Sequence, residues 1–135
     1  MNRQPRTTMQ NTETSKATIS CTISLPTERV IDLIITALEG GSNYWYWIEE
    51  DINVPSGMAY SEAFAETALT TGVNVNDIEN PNEVLGRITI DSIRNAVSII
   101  AEKYPWHFGN LFGEYDSETA DVFFQCAVMG DIVFG

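Results

Sequence analysis

Residue types that build chemical sites are scarce in this sequence. Its 135 residues include one histidine, two cysteines and seven lysine or arginine residues, against 19 aspartates and glutamates. A single histidine excludes a multi-histidine metal site, and two distant cysteines form neither a zinc motif nor a disulfide framework. Neither GxxxxGK[ST] nor GxGxxG occurs, so both common phosphate-binding glycine loops are missing. We therefore predict no catalytic residue, no metal ion and no cofactor, and a protein that is not an enzyme.

Long apolar runs are missing as well. No stretch approaches the ~18 apolar residues that span a bilayer, and residues 1–16 are polar throughout, unlike a secretory signal peptide. We expect a cytoplasmic protein with no membrane contact. Residues 1–16 also lack apolar periodicity and are predicted to be a disordered leader. Residues 17–135 are then a single domain, long enough to bury a core without metal or disulfide.

Positive charge is nearly absent from residues 17–135, which hold four bases against 18 acids, a formal balance of −14. Such a surface repels nucleic acid and anionic membranes, so we expect no direct nucleic-acid binding. It favours either plain solubility or a basic protein partner. The acids are densest at 49–51 and between 114 and 121. Glu49, Glu50 and Asp51 could hold a hard cation, although three consecutive acids are more typical of a solvated turn.

Apolar periodicity predicts an α+β fold, a small, mostly antiparallel sheet with helices packed on one face. Alternation at 17–25 predicts a half-buried strand, and 72–77 with 84–89 predict a β-hairpin. Helical spacing predicts three main helices: one from 27 to 38 with Thr27 as N-cap, one from 90 to 104 capped by Thr89, and a last one between Asp116 or Ser117 and Gly130. Residues 60–69 are predicted to be a short helix or flap, 106–113 a short turn or helical bend, and 131–135 an edge strand or a subunit contact.

The segment Glu39-Gly40-Gly41-Ser42-Asn43-Tyr44-Trp45-Tyr46-Trp47 joins a predicted helix end to four consecutive aromatic residues. Paired glycines at a helix end predict a sharp turn, because glycine accepts positive φ. Four successive aromatic side chains cannot all point one way on a strand or a helix. At least one pair is therefore expected to reach a ligand site, a partner subunit or a second layer of the domain.

A second aromatic cluster, Trp106-His107-Phe108, follows Pro105. If the ligand is a nucleotide, aromatic rings stack on its base while arginine or lysine binds its phosphates. The ligand-binding residues predicted on this basis are Asn43, Tyr44, Trp45, Trp47, Arg87, Arg94, Lys103, Trp106 and His107. The competing interpretations are that the bases pair with surface acids and that His107 is a packed or surface residue.

A Cys126–His107 pair is the one nucleophile arrangement that can be imagined. Cys126, however, falls mid-helix among Phe124, Ala127 and Val128, a position that predicts a buried and unreactive thiol. Cys21 lies in the alternating segment and is likewise predicted to be a buried free thiol.

Three stretches carry a resemblance to known proteins: Ala37–Trp45, which contains Gly-Gly-Ser-Asn-Tyr-Trp; Ala101–Phe108; and Thr119–Gly135, which contains Ala-Asp-Val-Phe-Phe-Gln. Together they resemble a widespread group of small bacteriophage and prophage proteins with a Gly-Gly-x-Asn-Tyr-Trp turn and an Ala-Asp-Val-Phe-x-Gln ending. The resemblance covers most of residues 17–135 and implies a phage protein in an infected host cell, without assigning a role to any residue.

Small phage proteins without a catalytic constellation are often accessories that counter host defence. On that basis we expect a protein that sequesters a small nucleotide-derived signalling molecule between its aromatic clusters, at the interface of a homo-oligomer. The alternative is an acidic inhibitor that occupies a basic nucleic-acid-binding groove of a host defence protein.

Overall fold

The computed structural model describes residues 17–135, so the predicted leader at 1–16 lies outside the described residues. This part of the chain forms five α-helices and three short strands. They are α1 (Thr27–Thr36), β1 (Tyr46–Trp47), α2 (Tyr60–Thr70), β2 (Val73–Asp77), β3 (Val84–Ile88), α3 (Ile90–Lys103), α4 (Pro105–Phe112) and α5 (Ser117–Met129). The predicted α+β fold is confirmed, with helices packed on a small antiparallel sheet. None of the helices between residues 17 and 135 has the length and apolar character needed to cross a membrane.

The sheet has the order β1-β2-β3, and both pairs of strands are antiparallel. Strands β2 and β3 form the predicted hairpin, with Val73 opposite Ile88. A bulge lies between Val75 and Asn76, where the pairing register shifts. The short strand β1 comes from the aromatic segment and pairs Trp47 with Asn76. This pairing places the aromatic segment at one edge of the sheet.

Helix α5 lies at the centre of the domain and packs against α1, α3 and β3. Its residues from Thr119 to Val128 are all buried apart from Asp121, which is half-buried. A Cβ added at Gly86 of β3 would stand only 1.9 Å from the carbonyl oxygen of Val128, so strand and helix backbones are in direct contact. Only glycine permits this approach.

The helix ends confirm most of the predicted caps. Thr89 and Ser92 form a reciprocal capping box at the start of α3, and Asp116 accepts the backbone N–H of Thr119 at the start of α5. Gly130 ends α5 with a φ of 84°. Thr27 is not an N-cap, since α1 begins at Thr27 after Pro26 and has no side-chain cap from the described residues. Residues 60–69 lie in helix α2 and residues 106–112 lie in helix α4, which ends before Gly113.

The predicted strand at 17–25 is wrong. This segment is irregular, and Ile19 is 92% exposed. Its backbone pairs with none of the three described strands, and an alternating pattern becomes a strand only where another strand satisfies its N–H and C=O groups. Leu25 alone in this segment packs against the core. Cys21 is accordingly exposed, not buried as predicted.

The paired glycines, Gly40 and Gly41, do not form the predicted sharp turn with positive φ. Helix α1 widens into a π-helical turn over Ala37–Gly41, in which the N–H of Ser42 donates to the carbonyl of Ala37 at 2.7 Å. Neither Gly40 nor Gly41 has a positive φ. At Gly41 a Cβ would lie 2.5 Å from the carbonyl oxygen of Ser117, at the start of α5. Gly41 is therefore required for close packing, not for a left-handed turn.

The segment 131–135 is irregular, not an edge strand. Its Phe134 ring stacks on Trp45, with ring centroids 5.6 Å apart. The tail thus closes over the aromatic segment within the same chain.

Candidate functional site

The aromatic segment is attached to α5 through one carboxylate. Asp121 Oδ1 accepts hydrogen bonds from the hydroxyl of Ser42 at 2.7 Å and from the indole N–H of Trp45 at 2.8 Å. Its Oδ2 accepts from the hydroxyl of Tyr44 at 2.6 Å and from the side-chain amide of Gln125 at 3.1 Å. Four donors around one half-buried carboxylate satisfy the polar atoms of the turn.

Gln125, one helical turn after Asp121, holds the C-terminal tail. Its side-chain oxygen accepts the N–H groups of Val133 and Phe134, each at 2.8 Å. Its amide nitrogen also donates to the carbonyl of Phe134 at 3.2 Å. The Gly-Gly-Ser-Asn-Tyr-Trp turn and the Ala-Asp-Val-Phe-Phe-Gln helix thus form one structural junction with the tail.

Two predicted ligand-binding residues belong to this junction and differ in their exposure to solvent. Trp45 is 2% exposed and packs between Phe124 and Phe134, so it belongs to the core and is not open to a ligand. Tyr44 is about half exposed and donates its hydroxyl to Asp121. Burial and the Asp121 carboxylate raise the pKa of Tyr44 to about 12, so its hydroxyl stays protonated and remains a donor at neutral pH.

A pocket of about 390 Å³ lies beside this junction and is lined by Asn43, Tyr46, Trp47, Ile48, Tyr60 and Ile78. We call it the aromatic pocket. Strand β1 supplies Tyr46 and Trp47, the start of α2 supplies Tyr60, and Ile78 follows β2. Trp47 and Tyr60 are each about 45% exposed, so their rings are open to a ligand. Such a surface can stack on a flat group.

The groups next to the aromatic pocket are hydrogen-bond acceptors and acids. The indole N–H of Trp47 donates to Glu49 Oε2 at 3.0 Å, and Tyr46 donates its hydroxyl to the carbonyl of Leu38 at 2.8 Å. Burial, the neighbouring Tyr60 and the negative charge of Glu39 raise the pKa of Tyr46. No lysine or arginine among residues 17–135 lines this pocket. The charged groups shown near the pocket are therefore the carboxylates of Glu49 and Glu39.

The three predicted phosphate-binding bases do not converge on the aromatic rings. Arg87 pairs with Glu50 at 3.5 Å and also donates to Asn74 at 2.9 Å. Arg94 pairs with Asp91 at 3.0 Å, and Lys103 pairs with Asp131 at 2.7 Å. Each base therefore has an acidic neighbour on its own part of the surface.

The second aromatic cluster is also separate from the aromatic pocket. Trp106 lies on α4 and is 64% exposed, with its ring against that of His107. His107 Nδ1 lies 2.9 Å from the hydroxyl oxygen of Thr119, which is buried on α5. Neither residue lines the aromatic pocket. His107 is thus a packed residue that joins α4 to α5.

No hydrogen bond joins Cys126 to His107 in the described part of the chain. Cys126 is buried in the middle of α5. Burial, reinforced by the negative charge of Asp131, raises the pKa of the Cys126 thiol to about 12. Since the thiolate is the nucleophilic form, this thiol is unreactive at neutral pH.

A second, larger groove of about 540 Å³ runs beside α3. It is lined mainly by apolar side chains of 21–30, α3 and α4, together with Arg94. Among the predicted ligand-binding residues, only Asn43 and Trp47 line the aromatic pocket and only Arg94 lines this groove.

The predicted ligand-binding residues did not include four residues that line the aromatic pocket: Tyr46, Ile48, Tyr60 and Ile78. Tyr46 belongs to the aromatic segment and Ile48 directly follows it, whereas the other two lie elsewhere in the chain. Tyr60 opens a weakly patterned helix, and Ile78 lies in a loop, so neither belongs to a local aromatic cluster. Their approach to Trp47 depends on how β1 pairs with β2. The one signal in the sequence was an aromatic residue at the exposed start of a helix, which is weak by itself.

Comparison of this chain with protein-family models, with curated proteins and with solved structures gives no match.

Proposed function

We propose that this protein is a non-enzymatic binding protein that occupies a basic, nucleic-acid-binding groove of a host defence protein. The resemblance to phage proteins supports a role in countering host defence, in the cytoplasm of an infected cell. One observation supports the proposal above all. Each of the four bases in residues 17–135 binds an acid or a carbonyl of the same chain, and the acids of this region outnumber the bases by 14.

Arg29 completes this set of engaged bases. It donates to the carbonyl of Gly113 at 2.7 Å and lies over the ring of Tyr115, with 5.3 Å from its guanidinium carbon to the ring centroid. Each base thus already has a carboxylate, a carbonyl or an aromatic ring beside it, and a neighbouring carboxylate weakens the attraction of a base for a phosphate group. A basic protein surface instead gains from the long-range field of the acidic surface.

The aromatic pocket favours a second candidate, the sequestration of a small nucleotide-derived signalling molecule. Its rings can stack on a nucleobase. Within one protomer, the described residues that line the pocket supply none of the cations that phosphates require, so this candidate needs a homo-oligomer in which a second protomer supplies them. It is therefore the less well supported of the two.

A displacement assay tests the first candidate. Purified host defence proteins are loaded with fluorescently labelled DNA or RNA, and the acidic protein is titrated in while anisotropy is read. We expect release of nucleic acid from at least one of them, weakening steeply between about 50 and 200 mM salt because exposed charges are screened.

Calorimetry with cyclic nucleotides and ADP-ribose derivatives provides the opposite test. Saturable binding of one of these ligands, without displacement of nucleic acid from any defence protein, would replace the first candidate by the second. Recovery of a chemically changed ligand would contradict both, since each describes a protein without enzymatic activity.

A further inference from the structure

Resting on the proposed function, we propose that the aromatic pocket receives an arginine side chain of the basic partner protein. A groove that binds nucleic acid is rich in arginine and lysine, and an inhibitor gains specificity where one of those side chains enters a defined site. The aromatic pocket is such a site on the acidic surface, and its chemistry favours a guanidinium group.

The shape of the aromatic pocket suits a guanidinium group. A guanidinium group is planar and stacks on aromatic faces, with tryptophan the best partner and tyrosine the next. The pocket brings Tyr46, Trp47 and Tyr60 around one space of about 390 Å³. Trp47 and Tyr60 are both about half exposed, so a group that enters from outside meets their rings directly.

The carboxylates near the aromatic pocket also suit a guanidinium group. Glu49 lies beside Trp47 and accepts its indole N–H through Oε2, while its other carboxylate oxygen accepts no hydrogen bond from the described residues. Glu39 lies close enough to Tyr46 to help raise the pKa of that hydroxyl. An incoming guanidinium group therefore meets a carboxylate oxygen at the pocket edge, with no competing base from residues 17–135 in the pocket lining.

The test uses two synthetic peptides of about nine residues, long enough to present several arginines to one face of the protein. One is rich in arginine, and its counterpart carries citrulline at each arginine, which keeps the planar side chain but removes the charge. Binding to the full chain is measured by calorimetry at low salt. The protein variants are Trp47→Ala and Trp47→Phe in the pocket, with Trp106→Ala as the matched control because Trp106 is an exposed tryptophan outside the pocket.

We expect the arginine peptide to bind the parent and the citrulline peptide to bind at least about tenfold more weakly, because the charge is lost. Trp47→Ala should weaken the arginine peptide by about 5- to 30-fold, the range of a desolvated cation–π contact. Trp47→Phe should recover part of that loss, while Trp106→Ala should stay within about twofold of the parent, as expected for a surface position. Circular dichroism confirms that each variant is folded.

Equal affinity of Trp47→Ala and Trp106→Ala for the arginine peptide would overturn the inference, as would equal affinity of the two peptides for the parent. Binding of a cyclic nucleotide that Trp47→Ala abolishes would also overturn it and favour the sequestration candidate. The displacement assay keeps the two proposals apart. Displacement that Trp47→Ala leaves unchanged removes only the pocket assignment, whereas no displacement by the parent removes the proposed function.

Discussion

The carboxylate of Asp121 accepts the indole N–H of Trp45 at 2.8 Å, across 76 residues of sequence. This hydrogen bond allows the largest ring of the core to be buried without an unsatisfied donor. Ser42 and Tyr44 donate to the same carboxylate, so the turn that contains Asn43 is held on α5. Asn43 lies within this anchored turn and Trp47 follows it, and both line the aromatic pocket.

Replacing Asp121 by alanine removes the acceptor for three donors of the turn. We expect the free energy of unfolding to fall by about 2–4 kcal/mol, because the buried indole N–H of Trp45 loses its partner. Urea denaturation measures the loss. Glu118→Ala, three residues earlier on the exposed side of α5, is the control and should lower the free energy of unfolding by less than about 1 kcal/mol. Equal losses in both variants would contradict the assigned role of Asp121.

Gly40 and Gly41 form a matched pair for a steric test. Gly41→Ala places a methyl group 2.5 Å from the carbonyl oxygen of Ser117, and we expect it to lower the free energy of unfolding by about 1–3 kcal/mol. Gly40→Ala meets no atom of the described residues within 4 Å and should change this free energy by no more than about 1 kcal/mol in either direction. Thermal denaturation of the two variants side by side decides the point. A larger decrease in the free energy of unfolding for Gly40→Ala than for Gly41→Ala would contradict the close packing of Gly41 on α5.

The two cysteines should differ sharply in reactivity. Cys21 is exposed, whereas burial raises the pKa of the Cys126 thiol to about 12. In the native protein at about pH 8 we expect a thiol reagent such as Ellman's reagent to label one thiol rapidly, and the second only after denaturation. Cys21→Ala should abolish the rapid phase and Cys126→Ala should retain it. Rapid labelling of the Cys21→Ala variant would contradict the burial of Cys126.

Asp131 should make the stability of the fold decrease at acid pH. Hydrogen bonds from Lys103 and Tyr104, with that of the Ile132 N–H, lower the pKa of Asp131 to about 2 from a usual 3.8. A carboxylate with a lowered folded-state pKa stabilises the fold above its unfolded-state pKa, and this contribution disappears as the pH falls through the folded-state value. The effect should therefore be complete above about pH 5 and be lost between about pH 4 and 2.

The measurement is the Tm of the parent and of Asp131→Asn from about pH 2 to 7. The variant should melt below the parent near neutral pH, and the two curves should converge near about pH 2. Glu114→Gln is the control, since Glu114 is exposed and has no hydrogen bond to a described residue. A difference between parent and Asp131→Asn that persists undiminished at the acid end of the range would contradict the assignment.

Local patterns predicted much of the secondary structure correctly. Residues at helical spacing and nearby caps, such as Thr89 and Gly130, mark α3 and α5, because these signals depend on neighbours within a few residues. The hairpin of β2 and β3 was predictable for the same reason. The alternation at 17–25 led to a wrong prediction, because a strand also requires a neighbouring strand to pair with its backbone.

The candidate site was only partly predictable. Within the aromatic segment, the predicted residues Asn43 and Trp47 line a pocket, but the sequence could not separate them from Trp45, which is buried. Side chains one residue apart point in different directions, and burial depends on which direction another element covers. Tyr60 was unpredictable because it reaches the pocket from a separate helix, α2, further along the chain.

The sequence by itself determined the acidic balance of residues 17–135, the α+β class and most helix ends, since these follow from composition and from interactions between near neighbours. Three relationships depend on the tertiary structure: Asp121 and Gln125 join the turn and the tail, three of the bases pair with acids away from the aromatic pocket, and Trp47 and Tyr60 share that pocket. These relationships connect residues far apart in the chain. Their partners are chosen by packing around α5, which no local pattern specifies.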